Sequence, residues 1–520
     1  MNNVKEYCWL ISQQPGKKRL QTLIGPALRL TEEGRWETSI HLLDDFDWHI
    51  YRSGQSLIHS VADDAPDQGR CVLIKSDKPV CEQDNLSIQP VFWHDVPSGK
   101  LQQSLKKLLG YSGLIRVLQI DEQRTVLACR DEEQKILLRL EVIKQTVSSH
   151  LGTDTTPYDR VLLRILPLRG YHKEATQVAE SLRRLRHKEA ESLNTGELLA
   201  LCKIDPEAEL LPNPLPLDPQ EHTESALRTA TRLLLKQARR YEAGIIADTD
   251  TEYLHQYRVN VRRARSLLSL LKQALPDQEG RELRQRLANM VRPTNALRDM
   301  DVFLLQRSFY GGLLPQPFQS GLEMLFRETE QQRQQVQQEL AVYLTSEDYQ
   351  HDCLWVDAQL KKPADFAAPL APVPLHQVAS SKIFKTYKRI CKLGSAITET
   401  TPDEQVHDLR LDCKKLRYLL DFFAALYPQE QISRHTKALK VLQTILGDFN
   451  DYAVQQESLL GQVTAQTPPD QAAAIHGLVA LLYQKQLVAR SQVMQALETF
   501  ASDALRADFK AAYSPRKDRK

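Results

Sequence analysis

Two hydrophobic rhythms divide the chain. Up to about residue 205 the apolar residues come in short runs broken by turn signals: Val72-Leu-Ile-Lys75, Leu114-Ile-Arg-Val-Leu-Gln-Ile120, Thr125-Val-Leu-Ala-Cys129, Lys135-Ile-Leu-Leu-Arg-Leu-Glu-Val142 and Arg160-Val-Leu-Leu-Arg-Ile165. Several alternate in period two, which predicts half-buried strands. Gln177 to Glu189 reads instead as a helix. A stretch with five prolines between Asp205 and Pro219 follows, too proline-dense for a helix or a central strand. From His222 onward helical periodicity dominates, interrupted at Pro276, Pro293, Gly311-Gly312, a second proline-rich break at 363–374, Pro402 and Pro428. The expected architecture is a multidomain α+β chain: a β-rich domain over 1–205, a linker over 206–219 and an all-α domain over 220–512.

The helical half repeats itself. His255-Gln-Tyr-Arg-Val-Asn-Val-Arg-Arg-Ala-Arg265 returns as His407-Asp-Leu-Arg-Leu-Asp-Cys-Lys-Lys-Leu-Arg417, an offset of 152. Arg298-Asp-Met-Asp-Val302 and Asn450-Asp-Tyr-Ala-Val454 keep the same offset. Repeat one is placed at about 220–345 and repeat two at about 375–512. Within each motif His255, Arg258, Arg262 and Arg265, and likewise His407, Arg410, Lys414 and Arg417, are three or four residues apart and share one helix side. Tyr257, Val261, Ala264 and Leu268 form a separate apolar stripe, matched by Leu409, Cys413, Leu416 and Leu420. The preceding helices carry Arg232, Lys236 and Arg239 in one copy and Lys385, Arg389 and Lys392 in the other. Four basic stripes, without acids at i±4 to neutralise them, are expected to line one groove or channel.

Charge counting sharpens this expectation. The chain's net charge of +2 hides +6 over 222–310, from 16 Lys/Arg against 10 Asp/Glu, and +3 over 376–455, from 12 against 9. The rest of the chain is therefore acidic, and an anionic partner is expected for the repeats alone. Arg263, Arg298, Lys415 and Lys440 join the candidate anion-binding set. Asp299 and Asp451 are expected to cap helix starts after Pro293 and Gly447, or to hold basic side chains in place. His255 and His407 read as packed or capping residues, or as hydrogen-bonding partners of phosphate oxygen. No catalytic residue, metal site or cofactor is predicted.

No apolar run approaches the roughly 18 residues needed to span a membrane. The start of the chain lacks a secretory pattern, and the eight scattered cysteines include no Cys-x-x-Cys pair, so a reduced, cytoplasmic protein is expected. The basic tail from Ser514 reads as a frayed end.

Taken together, the repeated motifs and Leu446-Gly-Asp-Phe-Asn-Asp451 resemble the conserved histidine α-helical domain, CHAD, over residues 218 to about 512. The resemblance implies two pseudo-symmetric four-helix repeats and binding of inorganic polyphosphate in a basic central pore, with polyphosphate granules as a place of action. Asn295 departs from the glycine expected in the first copy. Residues 1–205 resemble a degenerate CYTH domain, the triphosphate-tunnel β-barrel, through Leu43-Asp-Asp-Phe-Asp-Trp-His-Ile-Tyr-Arg-Ser-Gly-Gln-Ser-Leu57. Working tunnel enzymes open with Glu-x-Glu-x-Lys to hold metal and phosphate, whereas this chain has Val4-Lys-Glu-Tyr-Cys-Trp9, and no carboxylate follows Asp159 on the later strand. Lys75, Arg116, Arg124, Arg139 and Arg164 remain there as anion-attracting or surface residues. The rival readings are a metal-dependent triphosphatase in the N-terminal domain and a nucleic-acid binder using the same stripes. The second is disfavoured because the stripes lack interleaved aromatic stacking positions.

Overall fold

A computed structural model describes residues 7–62, 65–76, 78–86, 91–149, 151, 156–189, 193–209, 211–212, 214–398 and 401–514. Val4, Lys5 and Glu6 of the opening segment and residues 515–520 of the basic tail lie outside the described residues. The chain divides into two compact units between Leu210 and Leu211. Among the described residues, no helix is long and apolar enough to cross a membrane.

The first unit is one antiparallel sheet. Its strands are β1 (Tyr7–Ile11), β2 (Arg29–Asp44), β3 (Gln55–Ala62), β4 (Ala65–Lys75), β5 (Lys78–Leu86), β6 (Ile115–Arg130), β7 (Ile136–Ser149), β8 (Tyr158–Pro167) and β9 (Arg186–Glu189). They are hydrogen-bonded in the order β5-β4-β3-β2-β6-β7-β8-β1-β9. Among the described residues this row ends at β5 and β9, so closure into a barrel is not part of the ladder. Six helices accompany it: α1 (Lys17–Ile24), α2 (His49–Arg52), α3 (Lys100–Leu109), α4 (His172–Leu182), α5 (Thr195–Leu201) and α6 (Pro206–Glu209). Leu20 of α1 and Val178 and Leu182 of α4 pack with Trp9, Leu140 and Leu163. Leu101, Leu105 and Leu109 of α3 pack with Leu43, Leu57 and Leu73.

Two local expectations change. The runs at 114–120 and 125–129 are one strand, β6, because the polar Asp121–Arg124 stretch finds partners within the sheet: Arg124 Nε and Gln145 Nε2 donate to Glu122 at 3.0 and 2.7 Å. The helix expected over 177–189 is α4, which starts at His172 and stops at Leu182, while 186–189 pair with β1 as β9. In the segment 43–57, Asp44 accepts backbone N–H groups from Asp45, Ile50 and Tyr51 at 2.8 to 3.0 Å. Burial and the neighbouring Asp45 push its carboxyl up to about 7. These bonds make Asp44 a staple for the β2–β3 connection.

The second unit is helical. Repeat one holds α7 (Thr223–Arg240), α8 (Glu242–Ile246), α9 (Thr251–Leu270), α10 (Asp277–Val291), α11 (Thr294–Leu305), α12 (Arg307–Leu313), α13 (Gln319–Thr345) and α14 (Glu347–Leu360). Repeat two holds α15 (Leu375–Gly394), α16 (Asp403–Phe422), α17 (Gln429–Leu460), α18 (Pro469–Phe500) and α19 (Asp503–Tyr513). Four long elements therefore correspond: α7 to α15, α9 to α16, α10 with α11 to α17, and α13 to α18, each set closed by one further helix. The break between α10 and α11 has a one-residue cause. Pro293, which lacks an N–H and obstructs the preceding turn, has Ile445 as its counterpart 152 residues on. Consequently α17 runs unbroken for 32 residues. Asn450 and Asp451 lie inside it rather than at a helix start, a correction to the expectation built on Gly447.

Repeat one is tied to the segment before repeat two. Thr223 N–H donates to the Val373 carbonyl at 3.0 Å, Leu370 N–H to Gln273 at 2.9 Å and Leu375 N–H to Glu221 at 2.9 Å. Beneath these bonds lies a buried ionic knot. Arg228 contacts Glu224 at 2.8 Å and Glu279 at 2.7 Å, and donates to the Gln359 carbonyl at 2.9 Å. Glu224 also accepts Phe366 N–H at 3.0 Å. Three segments meet on the guanidinium and a fourth on its partner Glu224. Replacing it should leave a buried carboxylate without its charge partner. Arg228→Met is expected to lower the stability of the helical unit by about 3–5 kcal/mol, measured by denaturant unfolding followed through helical circular dichroism. A change within the scatter of surface substitutions would contradict the knot's importance.

Candidate anion-binding groove

Helix α9 of repeat one packs against α16 of repeat two, and apolar residues following the repeated motif meet at the seam. Leu267 and Leu271 meet Phe422 and Phe423 around a small void shared with Leu227 and Leu375. Arg263 joins the seam, its guanidinium 5.7 Å from the Phe422 ring centre, and burial holds its pKa below the ordinary arginine value. Beside this seam opens a groove of about 1380 Å³. Its cations are Arg262 and Arg265 from α9, Arg281 and Arg284 from α10, Lys382 from α15, and Lys414 and Lys415 from α16. Glu282 is the one acid among its lining residues, and it already contacts Arg286.

The electrostatics record uncompensated charge. Lys414 is held below the ordinary lysine value first by burial, then by Arg410 and by Arg262 of the other repeat, against the opposing pull of Asp451. Lys382 is lowered by burial and then by Lys385 and Lys272. One end of the set continues into a cluster around His255. Burial lowers its pKa, Glu252 opposes, and Arg298, Arg262 and Arg258 lower it further. Arg258 donates to Thr294 Oγ1 and, at 2.7 Å, to Asn295 Oδ1. The residue replacing the expected glycine thus becomes a tether for a basic side chain. Asp299 faces Arg258 and Arg298, with burial raising its carboxyl pKa, and Asp451 holds Arg410 at 3.2 Å. His407 shares a 2.8 Å hydrogen bond with Asn450.

The sequence-derived set is sorted by this geometry. Arg262, Arg265, Lys414 and Lys415 line the groove, and His255, Arg258, Arg298 and Arg410 adjoin it through Arg262 and Lys414. The four stripes do not share one groove. Arg232, Lys236 and Arg239 line a separate cleft. Contrary to the expectation of unneutralised stripes, Arg389 pairs with Asp412 at 2.5 Å, Lys415 with Asp412 at 2.9 Å and Arg417 with Asp421 at 2.7 Å. Lys385 stands near Lys382, while Lys392 and Lys440 are exposed and do not line the groove. Three groove cations were absent from the set: Arg281, Arg284 and Lys382. The positions 152 residues beyond Arg281 and Arg284 are Ser433 and Thr436, so the repeat does not mark them. Their three-residue spacing on α10 was the available signal.

The CHAD domain family matches residues 229–460. Residues 229–460 are a CHAD domain. Two uncharacterized proteins, from two Mycobacterium tuberculosis strains, are each 26% identical over 292 residues, covering 55% of this chain and 54% of the relative. The chain thus spans about half the length of the curated relatives it matches. Among solved structures, the CHAD domain from the plant Ricinus communis is 26% identical with a TM-score of 0.44, covering 57% of this chain and 95% of that one. PptA from Streptomyces chartreusis is 16% identical with a TM-score of 0.43, covering 54% and 100%.

In this CHAD domain the cations facing one another across the repeats work against the free fold. Arg262→Gln is therefore expected to raise the Lys414 pKa, read by NMR titration, and to leave stability unchanged or raised by a few tenths of a kcal/mol. A loss above about 1 kcal/mol would show Arg262 to be a structural tie.

Proposed function

We propose that the CHAD domain binds inorganic polyphosphate in the groove between its two repeats, by charge neutralisation and without a bond-breaking step. The observation that carries this reading is the cation set itself: seven Lys and Arg side chains from four helices and both repeats surround one groove with a single, already paired acid. Closely held cations focus a positive field. Arginine forks can grip phosphate oxygens in pairs and lysines act as movable point charges. A chain of phosphates offers one negative charge after another at short spacing, which a single small anion does not. The groove's length of contact, spread over α9, α10, α15 and α16, favours such a polymer over orthophosphate. Nucleic acid is disfavoured, since Tyr418 is the sole aromatic among the lining residues. On this reading the protein acts in the cytoplasm, at polyphosphate granules where these form.

The N-terminal unit is read as CYTH-like and accessory. Two of its buried carboxylates are committed to arginines: Glu122 contacts Arg124 at 2.6 Å, and Glu141 lies 3.5 Å from Arg164. Arg139 is likewise held by Glu33 at 2.6 Å. These pairs neutralise three of the five basic side chains singled out there from sequence.

Titration of the full-length protein should show long-chain polyphosphate binding far more tightly than orthophosphate, with log affinity falling linearly and steeply as log salt rises. Arg262→Glu, Arg284→Glu and Lys414→Glu should each weaken binding roughly tenfold or more. Equal affinity for the two anions, or undiminished binding in these variants, would refute the reading. The lowered His255 pKa adds a pH signature. A bound polyanion offsets the neighbouring arginines and raises that pKa, so binding takes up protons. Affinity should rise as pH falls through the histidine range, and the His255 ring signal, followed by NMR, should titrate at higher pH in the complex than in the free protein.

A further inference from the structure

Outside the helical unit, positive charge gathers at one end of the N-terminal sheet. Helix α1 and the segment 183–189, which ends in β9, hold seven Lys/Arg against one Asp/Glu, whereas the other residues of 1–210 hold 21 against 29. The two stretches are neighbours in the fold. Leu20 of α1 packs with Leu182 at the end of α4, and Leu23 and Leu185 pack against the same cluster. Arg186 of β9 pairs with Ile11, the last residue of the strand that leads into α1. Lys17, Lys18 and Arg19 are exposed in the first turn of α1, and Arg183, Arg184 and Arg186 are exposed on the adjoining segment. Arg183 lies 3.5 Å from Glu180 and Arg186 3.2 Å from Glu189, but both pairs are open to water, where such pairs contribute little. Lys17, Lys18, Arg19 and Arg184 make no ion pair among the described residues. A helix start is also where positive charge costs stability, and α1 has neither an acid in its first turn nor a side-chain cap to offset it.

We infer that this patch is a second polyanion site, and that it holds a distal stretch of the same polyphosphate chain that the groove binds. The inference rests on the polyphosphate reading of the groove. A ligand matching the patch carries dense negative charge and needs no apolar part. A membrane surface calls for exposed aromatic or aliphatic side chains among the cations, and single-stranded nucleic acid calls for stacking platforms. Neither stretch contains a Phe, Tyr or Trp, and neither exposes a large apolar side chain. Charges on an edge strand also hinder pairing with other chains, a role that accounts for β9 but asks nothing of α1. Exposed and screened by salt, the patch alone holds a free short chain weakly. Once a long chain is anchored in the groove, its free part meets the patch at the high effective concentration of a tethered ligand. Affinity then rises with length beyond what the groove itself spans, so the patch makes the protein selective for long polymers.

Titration of the full-length protein with a short and a long polyphosphate, at several salt concentrations, tests it. The triple variant Lys17→Gln, Lys18→Gln, Arg19→Gln should weaken the long chain about tenfold or more and leave the short chain unchanged. For the long chain, the slope of log affinity against log salt should become shallower by about two. A control that removes as much charge from α3 of the same unit, Lys100→Gln, Lys106→Gln, Lys107→Gln, should alter neither affinity nor slope. Unchanged long-chain affinity in the α1 variant, equal weakening of both chains, or an equal effect of the α3 control would overturn the inference and leave the polyphosphate reading standing, since the wild-type groove still binds the short chain. Failure of the wild-type protein to bind either chain would remove the polyphosphate reading and this inference with it.

Discussion

Like charges gathered in one groove repel, and the helical unit is arranged around holding them there. Seven cations with one paired acid do not assemble by their own attraction, so the walls must be fixed by contacts elsewhere. Apolar packing supplies most of that fixation, along the α9–α16 seam and in the repeat cores. In repeat two the Tyr387 and Phe509 rings stack at 3.9 Å, and the buried His435 bonds Tyr513 at 2.9 Å and Asp508 at 3.1 Å. In repeat one the Arg228 knot joins α7, α10, α14 and the segment leading to α15. Away from the groove acids neutralise the basic side chains one by one, and on its edge Asp277 and Asp412 reach Arg281 at 3.2 Å and Lys415 at 2.9 Å. The positive field is therefore what remains after local pairing, and it remains where both repeats face the same space.

Helical periodicity was enough to recognise this plan in outline. The 152-residue offset located α9 and α16, and the separation of basic from apolar stripes placed Arg262 and Lys414 on the open side with Val261 and Cys413 buried. Periodicity assigns a residue to a face, however, and says nothing of which neighbour that face meets. Arg232, Lys236 and Arg239 share a face as expected, but their neighbour is α14. Arg389 was an exposed cation on paper until folding brought Asp412 into reach, whereas the Arg417–Asp421 pair, at i,i+4 within α16, was open to reading from the spacing. Arg263 belongs to the candidate anion-binding set and adjoins Arg262 in sequence. One step of about 100° around the helix carries it into the seam against Phe422 instead.

Symmetry in the sequence also concealed asymmetry in the groove. Repeat one contributes Arg281 and Arg284 where repeat two has Ser433 and Thr436, and Pro293 breaks a helix that Ile445 leaves whole. The groove is thus heavier in charge on the side of α10. In the N-terminal unit the difficulty was of another kind. A polar stretch inside β6 resembled a turn, since the pairing of Glu122 with Gln145 across the sheet cannot be read from local pattern. In the same unit Glu122 and Glu141 sit beside guanidinium groups. Among the described residues, no group of three or more His, Cys, Asp or Glu is placed to hold a metal ion.

The central claim is that the two repeats act as one site rather than as two similar ones. It is tested most directly by the stoichiometry of a short polyphosphate, measured calorimetrically on the intact protein and on Arg262→Gln and Lys414→Gln, one substitution from each repeat. One chain bound per protein in all three, with both variants weakening that same site, is the predicted result. Two chains bound per protein, with each substitution removing one and leaving the other at full affinity, would contradict it.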